Sequence, residues 1–361
     1  MSGFLAGTGR RLAALLRKEF VQLLRDPRMR FMLVVPPIVQ LFVFGYAATF
    51  EVRHADIAVV DHDHGPDARE VVAAIDATHH YTLHFPGSVA AASAMMDRGT
   101  IGVIVQIPPR FSVDRRIELV ADGSDPNTAQ LVVAELAQVI GAYAAARAGF
   151  VPPVTVEERA WFNPNLEDHW FFIPGIMANV LFVSTMMLTA MMVVREREIG
   201  TLERLMVTPV GRLEFLLAKM IPVAYVGLFD VALIAAMAVW WFEVPLRGGI
   251  VALFLASLFL LLSTQGLGLL VSTYAATQQQ AMLSSMFFIM PMVVLSGFAF
   301  PIRNMPAAVQ ALTWIDPLRY YLVVVRDIFL KGLTLGDHPF EFAMMLVLGC
   351  AAIGASVLRL R

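Results

Sequence analysis

The sequence predicts an α-helical polytopic membrane protein, six transmembrane helices with an inserted α/β extracytoplasmic domain, and three observations lead there. Of 361 residues 58% are hydrophobic and only 16% charged, against about half apolar and a quarter charged in soluble domains, so the surplus must face lipid. The apolar residues are gathered into runs of about 20, the length that crosses a hydrocarbon core. One stretch of ordinary globular composition separates the first run from the rest.

The runs are 31–50, 170–194, 215–242, 250–273, 282–300 and 340–358. Residues 1–30 precede the first, and within them 10–25 read as an amphipathic helix. Leu12, Leu15, Leu16, Phe20, Leu23 and Leu24 share a stripe, with Arg10, Arg11, Arg17, Lys18 and Arg25 off it, the pattern of a helix resting in the headgroup plane. A cleaved signal sequence would have a shorter charged region and a small-x-small cleavage pattern. Neither is present.

Lysines and arginines set the orientation. With the N-terminus inside, seven fall before the first run, five in 195–219 and two at the tail, against five (Arg247, Arg303, Arg319, Arg326 and Lys331) in the short segments of the other side. Short loops rich in Lys and Arg stay in the cytoplasm. Both termini are expected there, in a multi-pass protein of a bacterial inner membrane, and residues 51–169 are expected outside.

That outer segment holds seventeen acidic and eight basic residues, an acidic, solvated body. Residues 57–60 and 101–107 are β-rich, and 67–78 and 128–148 have helical composition. Asn127, after the turn signal Asp125-Pro126, is the expected N-cap of the second helix. Asp61-His62-Asp63-His64 has zinc-type side chains, but no third and fourth ligand spacing accompanies it. A polar turn closing the strand before Gly65-Pro66 is the alternative the spacing favours.

Catalytic signatures are missing. There is no serine nucleophile elbow, and Lys18, Lys219 and Lys331 are not followed by Ser or Thr as a phosphate loop requires. The single cysteine, Cys350, lies in the last apolar run, so no disulfide is expected within the chain. A net charge of −2 gives no field for nucleic acid. No catalytic, cofactor-binding or metal residue is expected, and energy must enter from a partner.

The segment 195–209 is the most informative. Ile199, Leu202, Leu205 and Met206 fall on one helical face with charges elsewhere, which predicts a short amphipathic cytoplasmic helix rather than a plain positive loop. Thr208 and Pro209 are the expected N-cap and first residue of the next helix. Here the sequence resembles the permease subunits of type-2 ABC exporters, in the branch with a large extracytoplasmic domain after the first span. The residues that carry the likeness are Arg195, Glu196, Arg197, Glu198, Gly200, Thr201, Leu202 and Glu203, followed by Val207-Thr208-Pro209. Arg25-Asp26-Pro27, Asp122 to Asn127, Trp161-Phe162-Asn163-Pro164, Thr277-Gln278-Gln279-Gln280 and the Ser296 to Pro301 stretch support it. The resemblance implies that two permeases, copies or paralogues, pair with a separate cytoplasmic ATPase that binds the ATP and docks on the coupling helix 195–209. It implies export of drugs and other amphiphiles, and it allows a periplasmic adaptor.

Residues 301–332 are too polar to span, with Pro301, Pro306 and Pro317 as breakers and Trp314, Tyr320 and Tyr321 suited to an interface. They read as short re-entrant helices at the external face. Inside the runs, Asp230, Gln40 and Gln265 are the candidate translocation-path residues, because polar groups in hydrocarbon face a bundle or a hydrated path. Methionines such as Met186, Met187, Met191 and Met192 suit soft, promiscuous contacts, but most read as plain lipid-facing or packing residues. A secondary transporter would show repeated halves and more intramembrane charge. A membrane-anchored assembly protein would work through the outer domain alone.

Overall fold

The computed structural model describes residues 12–21, 25, 27–47, 55–124, 126–149, 161–165, 167–200 and 211–359. The chain divides into two compact units, 1–48 with 160–361, and 49–159.

The first unit is a helical bundle. Residues 12–21 are helical, and the long helices are α1 (Pro27–Ala47), α6 (Asp168–Glu198), α7 (Arg212–Trp240), α8 (Ile250–Tyr274), α9 (Gln278–Leu295) and α12 (Pro339–Arg359). At 1.5 Å per residue, the 21 residues of α1 and α12 already reach the thickness of about 30 Å of a hydrocarbon core. Helix α6 is central, packing on α1, α7, α8 and α9. It is apolar all round, as a helix buried on every side must be. Small residues let backbones close in. A Cβ on Gly268 of α8 would sit 2.5 Å from the Met186 carbonyl of α6, and one on Gly349 of α12 would sit 3.1 Å from Leu262 and Ser263. Hydroxyls finish the seams, with Thr185 and Thr264 2.8 Å apart between α6 and α8.

Helices cover the six expected segments, with three shifts, and the first span is Pro27–Ala47 rather than 31–50. The fifth begins at Gln278 and ends at Leu295 rather than 282–300, because Thr277 caps it by accepting from the Gln280 N–H at 3.2 Å. Gly297, at φ +88°, then turns the chain. The third begins at Arg212, behind Gly211; the expected Thr208 cap lies outside the described residues. Residues 301–332 form a single α10 turn and a half (Ala307–Leu312), two 3₁₀ turns and α11 (Pro317–Leu330). Helix α11 packs on α6, α8 and α12. Tyr320 and Tyr321 are buried in it, and the Tyr321 hydroxyl lies 2.7 Å from Ser257 of α8. These two tyrosines are internal rather than interfacial, since their rings fill the bundle; Trp314 is half exposed.

The second unit has a four-stranded sheet in the order β2-β1-β3-β4, where β1 is Ala55–Asp61, β2 Tyr81–His84, β3 Val103–Ile107 and β4 Glu118–Ala121. The first three strands are parallel, and β4 runs antiparallel to β3. Alternation along β1 and β3 sends Ile57, Val59, Val103 and Val105 to one core and Ala58, Val60 and Ile104 to the other, the period-2 rule of a two-faced sheet. Helices α2 (Pro66–Asp76) and α5 (Pro126–Arg147) cover the first face. Helix α3 (Val89–Asp97) covers the second, and a single turn, α4 (Phe111–Asp114), follows β3. Asn127 falls inside α5 and is not its cap.

Six described helices are long and apolar enough to cross a membrane, and one of them, Thr128–Arg147, belongs to this sheet unit. Its Val132 and Leu136 are buried in the sheet core, so its apolar residues serve a globular core. Helix α1, whose apolar stretch is Val34–Tyr46, packs in the bundle against α6 and α7.

Candidate functional site

The charged run Arg195-Glu196-Arg197-Glu198 is the last turn of α6, not part of a separate helix. Successive residues on a helix step about 100° around its axis, so each charge meets a different neighbour. Glu196 turns into the bundle. Its Oε1 accepts from Lys219 Nζ of α7 at 2.8 Å and from Lys18 Nζ at 2.8 Å. Lys219 also donates to Glu19 Oε1 at 2.7 Å. The Lys219, Glu19 and Glu196 side chains are 3%, 2% and 7% exposed, whereas Lys18 is 46% exposed. One buried ammonium between two buried carboxylates leaves a net negative charge that Lys18 cancels. Partial burial pulls the Lys18 amine down, but the Glu196 hydrogen bond and the charges of Glu19 and Glu196 outweigh it and hold its pKa above the ordinary lysine value.

Arg197 reaches the C-terminal end of α8, donating to the Ala275 carbonyl at 2.7 Å and the Ser272 carbonyl at 3.4 Å. A cation there meets unsatisfied carbonyls and the negative end of the helix dipole. Glu198 does the converse at the start of α9. Its Oε2 accepts from the Gln278 side-chain amide at 2.7 Å and from the Gln278 N–H at 3.3 Å, a carboxylate at a helix N-terminus. Gln280 Oε1 accepts from the Ala276 N–H at 2.9 Å, closing the α8–α9 turn. One helical turn thus ties the N-terminal helix, α7, α8 and α9 together.

One expectation about this segment is corrected. Ile199, expected on the apolar face of a separate helix, is 63% exposed, because α6 ends there and Ile199 is its C-cap. A Cβ on Gly200 would meet nothing within 4 Å among the described residues. Glycine suits it because its φ is +75°, the left-handed conformation that terminates helices. Thr201, Leu202, Glu203 and the rest of the coupling segment to Pro209 lie outside the described residues.

The three path candidates do not meet at one site. Gln40 of α1 lines a cavity of about 190 Å³ with Pro36 and Pro37 of α1, Ser184, Met187 and Met191 of α6, Arg195 and Gln278. Two prolines inside α1 remove helix donors at that level, and Ser184 Oγ is buried with no partner among the described residues. Gln265 is 1% exposed in α8. Oriented so that both ends of its amide are satisfied, its N donates to the Met220 carbonyl and its O accepts from the Ala224 N–H, each at 3.1 Å. It is a helix-to-helix tie beside Pro222. Asp230 of α7 is 1% exposed, and neither carboxylate oxygen has a partner among the described residues. It does not line the cavity.

Sequence reasoning passed over Glu19 and Lys219. Lys219 is a lone charge inside the apolar stretch Phe215 to Ile221, and a charge so placed demands a partner; Glu19 sits beside Arg17 and Lys18 and carries no such signal. In the second unit, the Asp61 to His64 run is a turn. Asp61 Oδ1 accepts from the N–H groups of Asp63 and His64 at 2.9 and 3.0 Å, and Asp63 Oδ1 accepts from the Phe111 N–H at 3.0 Å. Among the described residues no group of three metal-ligating side chains occurs.

Helices of spanning length packed around α6 through small residues define a polytopic α-helical membrane protein. A family model described as ABC-2 family transporter protein matches residues 27–358, and the chain belongs to that family. It is 33% identical over 338 residues to the probable multidrug ABC transporter permease YbhR of Escherichia coli K12, covering 90% of this chain and 91% of that one. It is also 33% identical over 338 residues to the probable multidrug ABC transporter permease YbhS of the same strain, covering 90% and 89%. Similarity to the inner membrane transport permease YhhJ of that strain is 26% over 364 residues, covering 95% of each chain.

Proposed function

We propose that this chain is the membrane-spanning permease half of an ATP-driven exporter of the bacterial inner membrane, moving amphiphilic, drug-like molecules out of the cytoplasm. ATP is bound and split by a separate ATPase, which docks against the end of α6 and the coupling segment to Pro209; this chain itself is not an enzyme. A second copy or a paralogue completes the permease pair. Both termini and the charged end of α6 face the cytoplasm, the α/β unit is an inserted extracytoplasmic domain, and 301–332 are re-entrant at the outer face.

The observation that carries this reading is the last turn of α6. Force applied there enters α7, α8 and α9 at once through Glu196, Arg197 and Glu198. The methionine-lined cavity begins on the same turn, at Arg195, and soft, adaptable side chains suit varied amphiphiles. The names of the relatives agree with it. The test is ATP-dependent extrusion of ethidium from proteoliposomes holding the chain and its co-purified ATPase. Filling the cavity with Ser184→Trp should cut extrusion about tenfold or more, since overpacking such a space costs roughly 1–3 kcal/mol, while ATPase co-purification stays. Extrusion without ATP, or no ATPase recovered with the wild-type chain, would contradict the proposal.

A further inference from the structure

A crevice in the α/β unit serves no part of the transport reading. It opens between α2, α4, β4 and the C-terminal half of α5, with a volume of about 430 Å³, within the range of small-molecule sites of roughly 300–1,000 Å³. Its walls are Val71, Phe111, Ile117, Leu119 and Ile140, and Arg115 stands at its edge.

The opening lies on the first face of the sheet, where α2 and the α4 turn both pack, with Asp67 at the start of α2 and Phe111 just beyond β3 among its lining.

The charges at the rim are unequal in kind. Arg147 is held by Asp67 at 2.9 Å and Glu70 at 3.7 Å, and the Tyr143 hydroxyl donates to Glu70 at 3.0 Å. Those four groups satisfy one another. The Arg115 guanidinium has no ion pair or hydrogen bond among the described residues. Its backbone is left-handed, at φ +46°, as the last residue of the α4 turn, which presents it at the mouth. Its neighbour Arg116 does not line the crevice.

We infer that this crevice binds a small amphiphile with an anionic head, its apolar body against Phe111, Leu119 and Ile140 and its head paired with Arg115. An anionic head can accept charge-assisted hydrogen bonds from this guanidinium, which a neutral or cationic head would not use as well. A planar guanidinium suits a carboxylate or sulfate. The site stands or falls separately from the transport reading, because it lies in the other unit.

The test uses the full chain in lipid nanodiscs and dodecanoate carrying a diazirine on its alkyl chain, with the matching dodecanol and dodecylammonium probes as comparisons. After irradiation, labelled peptides are mapped by mass spectrometry. The dodecanoate probe should label 111–119 and 137–147 about tenfold more than the other two, the worth of one charge-assisted hydrogen bond. Arg115→Asn, which suits a left-handed backbone, should remove that preference, whereas Arg116→Asn should not. Ile140→Trp should abolish labelling there. Equal labelling by the three probes on the wild-type chain, labelling confined to other segments, or equal loss in both arginine variants would overturn the site.

Discussion

Arg195-Glu196-Arg197-Glu198 and Asp61-His62-Asp63-His64 look alike as strings, each four polar residues of alternating type, and the fold uses them in opposite ways. The first lies on a helix, where the turn distributes its side chains onto α7, α8, α9 and the N-terminal segment. The second lies in a turn, where two carboxylates fold back onto nearby N–H groups and the His64 side chain is 82% exposed. The helix end joins several elements of the bundle; the turn mostly closes on itself, with one bond reaching out, from the Phe111 N–H to Asp63. The difference is one of how many distant elements each run reaches.

Breaking the two clusters should expose that contrast, and the largest effect is expected at Lys219. Lys219→Met removes the buried ammonium between Glu19 and Glu196 and leaves Glu19 only the more distant Lys18 at 3.4 Å, and removal of one partner from a buried pair costs about 3–5 kcal/mol. Adding Glu19→Gln to Lys219→Met should recover part of it. Glu198→Ala, at an exposed position, should cost only about 1 kcal/mol by loss of the Gln278 bonds. Asp61→Ala should lose a similar amount, while His62→Ala and His64→Ala should change stability by less than about 0.5 kcal/mol. Thermal unfolding of the full chain in one detergent, with and without added zinc, orders the series. A zinc-dependent rise in melting temperature, or a His64→Ala loss matching that of Lys219→Met, would erase the contrast.

Much of the bundle was legible because hydrocarbon imposes a length on every crossing helix. Where the sequence misled, tertiary partners decided. Residues 282–300 read as the fifth span because they are apolar, yet the helix starts at Gln278, where Thr277 supplies the cap. Helix α5 also has the composition of a span, but its place inside the globular 51–169 stretch reads it as a helix of the inserted segment, and its Val132 and Leu136 pack in the sheet core. Arg195 to Glu198 stood out in the sequence by their alternating charge, but their partners did not. Glu19 and Lys219 meet across 200 positions of chain, and no local pattern announces such a pair. Gln265 read as a path residue because an amide in hydrocarbon needs a partner. It has one, in the backbone of α7.

The central claim is that the end of α6 and the start of α9 move as one body when the ATPase acts. It is tested by joining them. With Cys350→Ser as background, Glu198→Cys and Gln278→Cys place two thiols where a 2.7 Å hydrogen bond stood, and a short bifunctional thiol reagent can bridge them in proteoliposomes. ATP-driven ethidium extrusion, measured before bridging, after bridging and after reductive release, should be no lower bridged than unbridged, because the bridge replaces the Glu198–Gln278 tie that the substitutions remove and a link across two parts of one rigid body costs no motion. Extrusion that stops on bridging and returns on release would show that the two helix ends separate during transport, and would contradict the account.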